Sequence, residues 1–370
     1  MANNASPALK HTLHTPAHVS SLHYTSEEHL LVGSDDGSLR LYRLPDSKVA
    51  KAVRGLGAEI SSITSARAGS NKTGELWVAC GRRVLRIDIE SPKIIQSADD
   101  AMDSIEIGED EEDLINEIML SSNQKHLAFS TDSGAMGVIE LATHRISRMR
   151  TRHNSICGAV SFIPDRPSEI ISGGYDSALL HFDFAQGNIL SRHDFGESFH
   201  NLRESKLTRE AVPPPQDSGV SLSPPFVLCL SVSSVGIIAA GTADGHLWIG
   251  TGGEKKPSGA GKNKRTRKWE GLREEDSVST KVAEGPVVAV RFIDRMDLLA
   301  CTLLGTITRY TVATAADEST QLETKAVSTT EVTSIAKVNG MATSSRSAAV
   351  AGFGKDGKGV VEVYQWDTSA

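Results

Sequence analysis

The 370-residue chain contains 4 cysteines, 12 histidines and 46 acidic residues, enough in number to hold a metal or to attack a bond. Their spacing points elsewhere. Cys80, Cys157, Cys229 and Cys301 lie far apart, each inside an apolar, strand-like run, with no Cys-x-x-Cys or Cys/His spacing of the kind zinc needs. They read as small buried hydrophobes of a reducing compartment. Neither a Gly-x-Ser-x-Gly elbow nor a His-Glu-x-x-His pair occurs. Gly259-Ala260-Gly261-Lys262 has part of a phosphate loop, but Asn263 stands where Ser or Thr would hold magnesium, and Lys256 where the first glycine belongs. His18 and His153 with nearby Asp partners would make acid/base pairs, although a hydrogen bond bracing the fold is the plainer reading. A hydrolase would also need acidic or histidine side chains converging on one place, and the sequence offers no such set. The expectation is a non-enzymatic protein with no catalytic residue, metal or cofactor.

Two charge runs remain. Residues 99–117 carry ten acids, including Glu109-Asp110-Glu111-Glu112-Asp113, with no basic residue between Lys93 and Lys125. Lys262, Lys264, Arg265, Arg267 and Lys268 form a tight basic cluster. The acidic run would attract a basic partner and raise its on-rate, if it is more than a solvated face. The basic cluster reads as a nuclear import signal, a phosphate-contacting patch or a solvated loop. The overall balance of 39 basic against 46 acidic residues, net −7, argues against general nucleic-acid binding. No run approaches the ~18 apolar residues of a membrane span, and Met1-Ala2-Asn3-Asn4-Ala5-Ser6-Pro7 has no apolar stretch for a secretory signal. A soluble protein of the nucleus and/or cytoplasm is expected.

The elements that must carry these residues are strands. Residues 30–42 read as an apolar strand, a tight Asp-Gly turn at Asp36-Gly37, and a second, alternating strand, which is a strong hairpin signal. Imperfect copies recur, giving units over 19–44, 60–89, 115–141, 156–184, 227–250, 287–312 and 332–366. Each has three apolar strands, and several add an outer polar one, such as 49–54 or 145–149. That repeat predicts an all-β, seven-bladed β-propeller occupying 1–370 as a single domain. The seventh unit ends at its third strand, while 9–15 is a spare strand at the other terminus. The N-terminal strand is therefore expected to close the ring. Inserts are expected at about 99–114, 195–225 and 251–283, with a short polar break at 313–324. The acidic and proline-rich inserts would share one face and the basic one would lie opposite.

The repeats also resemble the WD-repeat class, whose blades use a turn Asp, a hydroxyl two residues on and an aromatic closing the third strand. Asp36, Ser38 and Tyr42 match, as do Asp176 and Phe182, with Ala178 in place of the hydroxyl. His18 and His153 precede their blades where the class places a histidine bonded to the turn Asp, and Trp366-Asp367 is a literal Trp-Asp pair. More specifically, Arg152-His153-Asn154-Ser155-Ile156-Cys157-Gly158-Ala159-Val160-Ser161-Phe162, continuing through Ser172-Gly173-Gly174-Tyr175-Asp176, resembles the WD repeat-containing protein 53 family. So does the preceding unit from Glu112 through Ala135. The resemblance implies a monomeric scaffold that binds proteins and acts as a substrate receptor of cullin-4 ubiquitin ligases. Such receptors dock the damaged-DNA-binding adaptor through an Asp-x-Arg element ending a third strand. The matching positions are Asp88-Ile89-Glu90 and Asp183-Phe184-Ala185, both without the Arg, so the cation that the motif supplies for pairing is missing. Asp88 and Glu90 are thus the candidate adaptor contacts, and Asp110, Asp113, Tyr175 and Phe199 the candidate contacts on the face built from turns and inter-blade loops. The alternative is a nuclear assembly factor of ribosome or chromatin complexes that uses the basic insert.

Overall fold

A computed structural model describes residues 7–66, 74–196, 223–251, 272–314 and 322–366. The fourth unit shows how each blade is made. Cys157–Phe162, Glu169–Gly174, Ala178–Asp183 and Asn188–Asp194 pair in that order as an antiparallel sheet, from Glu169 opposite Asp183 to Gly174 opposite Ala178 across the central hairpin. The two middle strands are buried along almost their whole length, on both faces, because the sheet is sandwiched between two neighbours. That is why they read as continuous apolar runs rather than alternating ones. The outermost strand, at the rim, is half exposed and polar.

Seven such sheets occur. Their first strands, from Val19–Ser26 round to Lys337–Thr343, each touch the next, and the last touches the first, so they ring a central channel. The core lies between the blades, not within one. Seven apolar clusters each join two adjacent sheets, as where Leu31, Val53 and Leu56 of blade one meet Ile60, Val78 and Leu85 of blade two. Fully burying each such side chain contributes about 1.5–3 kcal/mol.

The ring is closed by the N-terminal strand. Ala8–Thr15 lies antiparallel to Gly359–Gln365 as the outer strand of blade seven, with Leu13 opposite Val361 and Thr15 opposite Gly359. Leu13 packs into the cluster that joins blades seven and one. Asn339 Nδ2 donates to Val19 O at 2.8 Å, and Glu27 accepts from Ser345 N at 2.9 Å, so the seam is bonded as well as packed.

Three expected breaks are partly sheet. Within 99–114, Asp103–Glu106 is the outer strand of blade two. Its acids do not repel one another because arginines of the adjoining hairpin pair with them: Arg86, opposite Asp103 in the ladder, binds it at 2.9 Å, and Arg82, in the hairpin turn, pairs with Glu106, while Ile105 turns inward. Within 251–283, Ser277–Lys281 is the outer strand of blade five, and Leu322–Glu331, which begins inside the expected polar break, is that of blade six. Ahead of Asp103–Glu106 the chain also crosses to blade one, where Ile95–Gln96 adds a short parallel fifth strand beside Ala52 and Val53. No helix among the described residues is long and apolar enough to cross a membrane.

Candidate interaction surfaces

The ring has two faces. Connections from one blade to the next, and the turns between second and third strands, open on one; first-to-second and third-to-fourth connections open on the other. Side chains on the first face are fixed by tight turns. In blade one, Asp36 Oδ1 accepts from Ser38 N at 3.0 Å and from its hydroxyl, and Gly37 adopts φ +72°. A Cβ on Gly37 would lie 2.8 Å from Ala58 O, so the turn needs glycine for space as well as for φ.

Turns are tied to the incoming connection by buried polar bonds. In blade four, His153 Nδ1 meets Asp176 Oδ1 at 2.7 Å and its Nε2 meets Ser172 Oγ at 2.9 Å. Asn154 N donates to the second Asp176 oxygen at 2.9 Å. Burial pushes the Asp176 carboxyl up, but the bonds from His153 and Asn154 outweigh it and hold the group below the ordinary range. This is the brace expected of the histidine. His18 differs: it lies 3.5 Å from Asp35, not the turn's Asp36, its side chain is 40% exposed and it stacks on Phe353, while Asp36 Oδ1 is engaged by Ser38.

The candidate contact residues on this face have unequal fates. Asp113 is 3% exposed, and its oxygens accept from Glu109 N at 3.0 Å and Ser133 N at 2.9 Å. Both oxygens are taken up by main-chain N–H groups, so it is a brace rather than a contact, which corrects the expectation for this residue. Glu109 is neutralised by Arg152 through two bonds of 2.9 and 2.8 Å and by Arg148 at 3.2 Å. Asp110, Glu111 and Glu112 are left exposed at the tip, with Asp110 Oδ1 accepting from Glu112 N. Tyr175 is half-buried and stacks on Phe226, ring centroids 5.7 Å apart and planes 10° from parallel. Phe199 lies outside the described residues, as does the basic cluster from Lys262 to Lys268.

Asp88 and Glu90 sit on the opposite face, where blade two's third strand ends. Asp88 Oδ1 accepts from Glu90 N at 2.9 Å, its main-chain oxygen accepts from Gln96 Nε2 at 2.9 Å, and Glu90 is exposed. Asp183 in blade four makes the same kind of turn, accepting from Ala185 N at 3.0 Å.

Sequence reading missed the titratable groups on the innermost strands. His23 of blade one, Glu117 of blade three and Arg291 of blade six are half-buried there. Each is committed to the adjacent blade: His23 Nε2 meets Ser65 Oγ at 2.8 Å, Glu117 Oε2 accepts from Val160 N at 2.9 Å, and Arg291 donates to Leu230 O at 3.4 Å. Burial, then the Arg291 charge, push His23 down to about 4, while burial raises the Glu117 carboxyl. Only the repeat register, not local spacing, would have revealed them. Acidic and histidine groups therefore do reach the channel, but from separate blades and each bonded to a neighbour. The four cysteines are buried and free, and burial pushes the Cys229 and Cys301 thiols up to about 12, which leaves them unreactive. Among the described residues no group of three or more His, Cys, Asp or Glu is placed to hold a metal.

No protein-family model matches the chain. A curated relative, the WD repeat-containing protein 53 homolog of Dictyostelium discoideum, is 22% identical over 232 residues. The match covers 61% of this chain and 60% of that protein, so the chain spans less than two thirds of the relative. WD-repeat propellers typically bind proteins and are generally non-enzymatic scaffolds. Blade architecture and relative agree, and the chain is a seven-bladed WD-repeat β-propeller similar to the WD repeat-containing protein 53 homolog.

Proposed function

We propose that this chain is a non-enzymatic interaction scaffold that joins two proteins on opposite faces of its ring, as a substrate receptor of a cullin-4 ubiquitin ligase. The adaptor would dock at the element Asp88-Ile89-Glu90, and the substrate would be received on the other face, around Asp110 and Tyr175. One observation carries the reading: the exposed Glu90 turn ends a third strand on the face away from the acidic tip and the Tyr175–Phe226 stack, which leaves both surfaces free at once. A ring of rigid strands holds such surfaces at fixed separation. Residence in the nucleus, the cytoplasm or both is part of the proposal, and the four unbridged cysteines support a reducing compartment.

The test is size-exclusion co-elution with the damaged-DNA-binding adaptor of cullin-4 ligases, with Glu90→Arg alongside. Wild type should co-elute, and Glu90→Arg, which restores a cation at the motif position, should bind about tenfold tighter, worth about 1.4 kcal/mol. If neither co-elutes, the receptor role falls and the scaffold needs a different partner.

A further inference from the structure

The rim between blades four and five opens a cleft of about 320 Å³, framed by the outer strand Asn188–Asp194 and by His246–Gly250 and Ser277–Lys281. Its wall holds three rings: His193 and Trp248 have centroids 5.1 Å apart, and Phe195 meets His193 edge-on at 4.8 Å and Trp248 at 6.1 Å. The carboxylates Asp244 and Glu274 line it too, whereas no lysine or arginine does among the described residues. Pro225 joins the cleft to Phe226 and so to the Tyr175 stack on the proposed substrate face.

Two features of the wall point to an occupant. Its charge is negative. Asp244 is 2% exposed, and although burial pushes its carboxyl up, hydrogen bonds from His246 and Thr242 and the charge of Lys281 hold it below the ordinary range, ionised at neutral pH. Glu274 is exposed at the rim, and burial pushes His193 down, so its ring is uncharged at pH 7. The second feature is an unsatisfied donor. Trp248 is 1% exposed and its indole N–H has no acceptor among the described residues. Strand register explains why: Ala240 lies opposite Trp248, at the place where blade four has Ser172 opposite Leu180. A buried donor without an acceptor costs about 1–3 kcal/mol, which a ligand carbonyl would relieve.

We propose that this cleft receives an arginine side chain from a basic segment of a partner protein, with the aromatic rings and the Asp244 and Glu274 carboxylates around the cation and a peptide carbonyl accepting from Trp248. A planar guanidinium both stacks on rings and pairs with carboxylates, and a peptide brings cation and carbonyl together. At 320 Å³ the cleft is at the small end of ligand sites and suits one side chain. The proposal rests on the scaffold reading for the class of ligand but needs no adaptor, so co-elution and peptide binding can fail separately.

The test follows the Trp248 indole N–H signal by ¹⁵N NMR of the full chain, identified among those of the 4 tryptophans by its loss in Trp248→Phe. The probe is acetyl-Gly-Arg-Gly-amide, with its citrulline counterpart, isosteric but uncharged, as comparison. The arginine peptide should move the signal and bind about tenfold more tightly than the citrulline peptide, and Glu274→Gln should weaken it about threefold to tenfold. No movement with either peptide, or equal binding of both, overturns the proposal. Movement confined to a variant with Lys262, Lys264, Arg265, Arg267 and Lys268 all changed to Gln would mean that the chain's own basic segment fills the cleft, and would overturn a partner as its occupant.

Discussion

Asp113 and His153 occupy the connections that enter successive blades, and each fastens the next turn with the roles of donor and acceptor exchanged. In blade three the carboxylate comes from the connection and takes the turn's Ser133 N–H; in blade four the carboxylate is in the turn and takes the histidine. Removing either acid strands buried donors, so Asp113→Ala and Asp176→Ala should each cost about 1–3 kcal/mol in urea unfolding at pH 7. For Asp113, Asp176, Asp244 and Glu362, burial raises the carboxyl but hydrogen bonds outweigh it, so the folded pKa lies below the unfolded one. The unfolded chain then binds more protons as pH falls through the ordinary carboxylate range. Stability is fully present above that range, near pH 4, and is lost as pH drops below it. Urea midpoints between pH 7 and pH 3 should show this fall, and Asp113→Asn should make it shallower. Glycine is equally demanding at one turn: Gly245 has φ +87°, and a Cβ there would lie 2.0 Å from Ala283 O. Gly245→Ala should cost about 2 kcal/mol or more by the same assay.

At the scale of elements, the hairpins of the inner three strands were legible because sandwiched strands must be apolar and Asp36-Gly37, Asp244-Gly245 and Asp356-Gly357 mark turns between them. Outer strands were harder to read. Asp103–Glu106 buries a single isoleucine and is otherwise polar, and what makes it a strand is the pair of arginines on the adjoining hairpin, Arg86 in the neighbouring strand and Arg82 in the turn before it. The closing strand was legible from arithmetic, a blade short of one strand and a strand short of a blade. Its contribution can be measured. Leu13→Ala removes a buried side chain from the seam between blades seven and one and should cost about 2–3 kcal/mol, read as a lower thermal midpoint. Deleting residues 1–15 leaves Gly359–Gln365 as an uncovered apolar edge, and the product should aggregate during size exclusion.

For the whole molecule, contacts that shape the surfaces join residues far apart in the chain but adjacent across a blade boundary. Arg152 cancels Glu109, Tyr175 stacks on Phe226, and His193 meets Trp248. None of these pairs is visible in local spacing, which is why the acidic run looked uniform in sequence although the fold pairs Asp103, Glu106 and Glu109 with arginines and buries Asp113. The ring then sets two surfaces back to back: Asp110 to Glu112 with the Tyr175 stack on one, Glu90 on the other. The most direct test of that division is hydrogen–deuterium exchange of the full chain with and without the cullin-4 adaptor. The account predicts slowed exchange across 88–96 and unchanged exchange across 108–114. Protection at 108–114 with none at 88–96, or no protection anywhere, would contradict it.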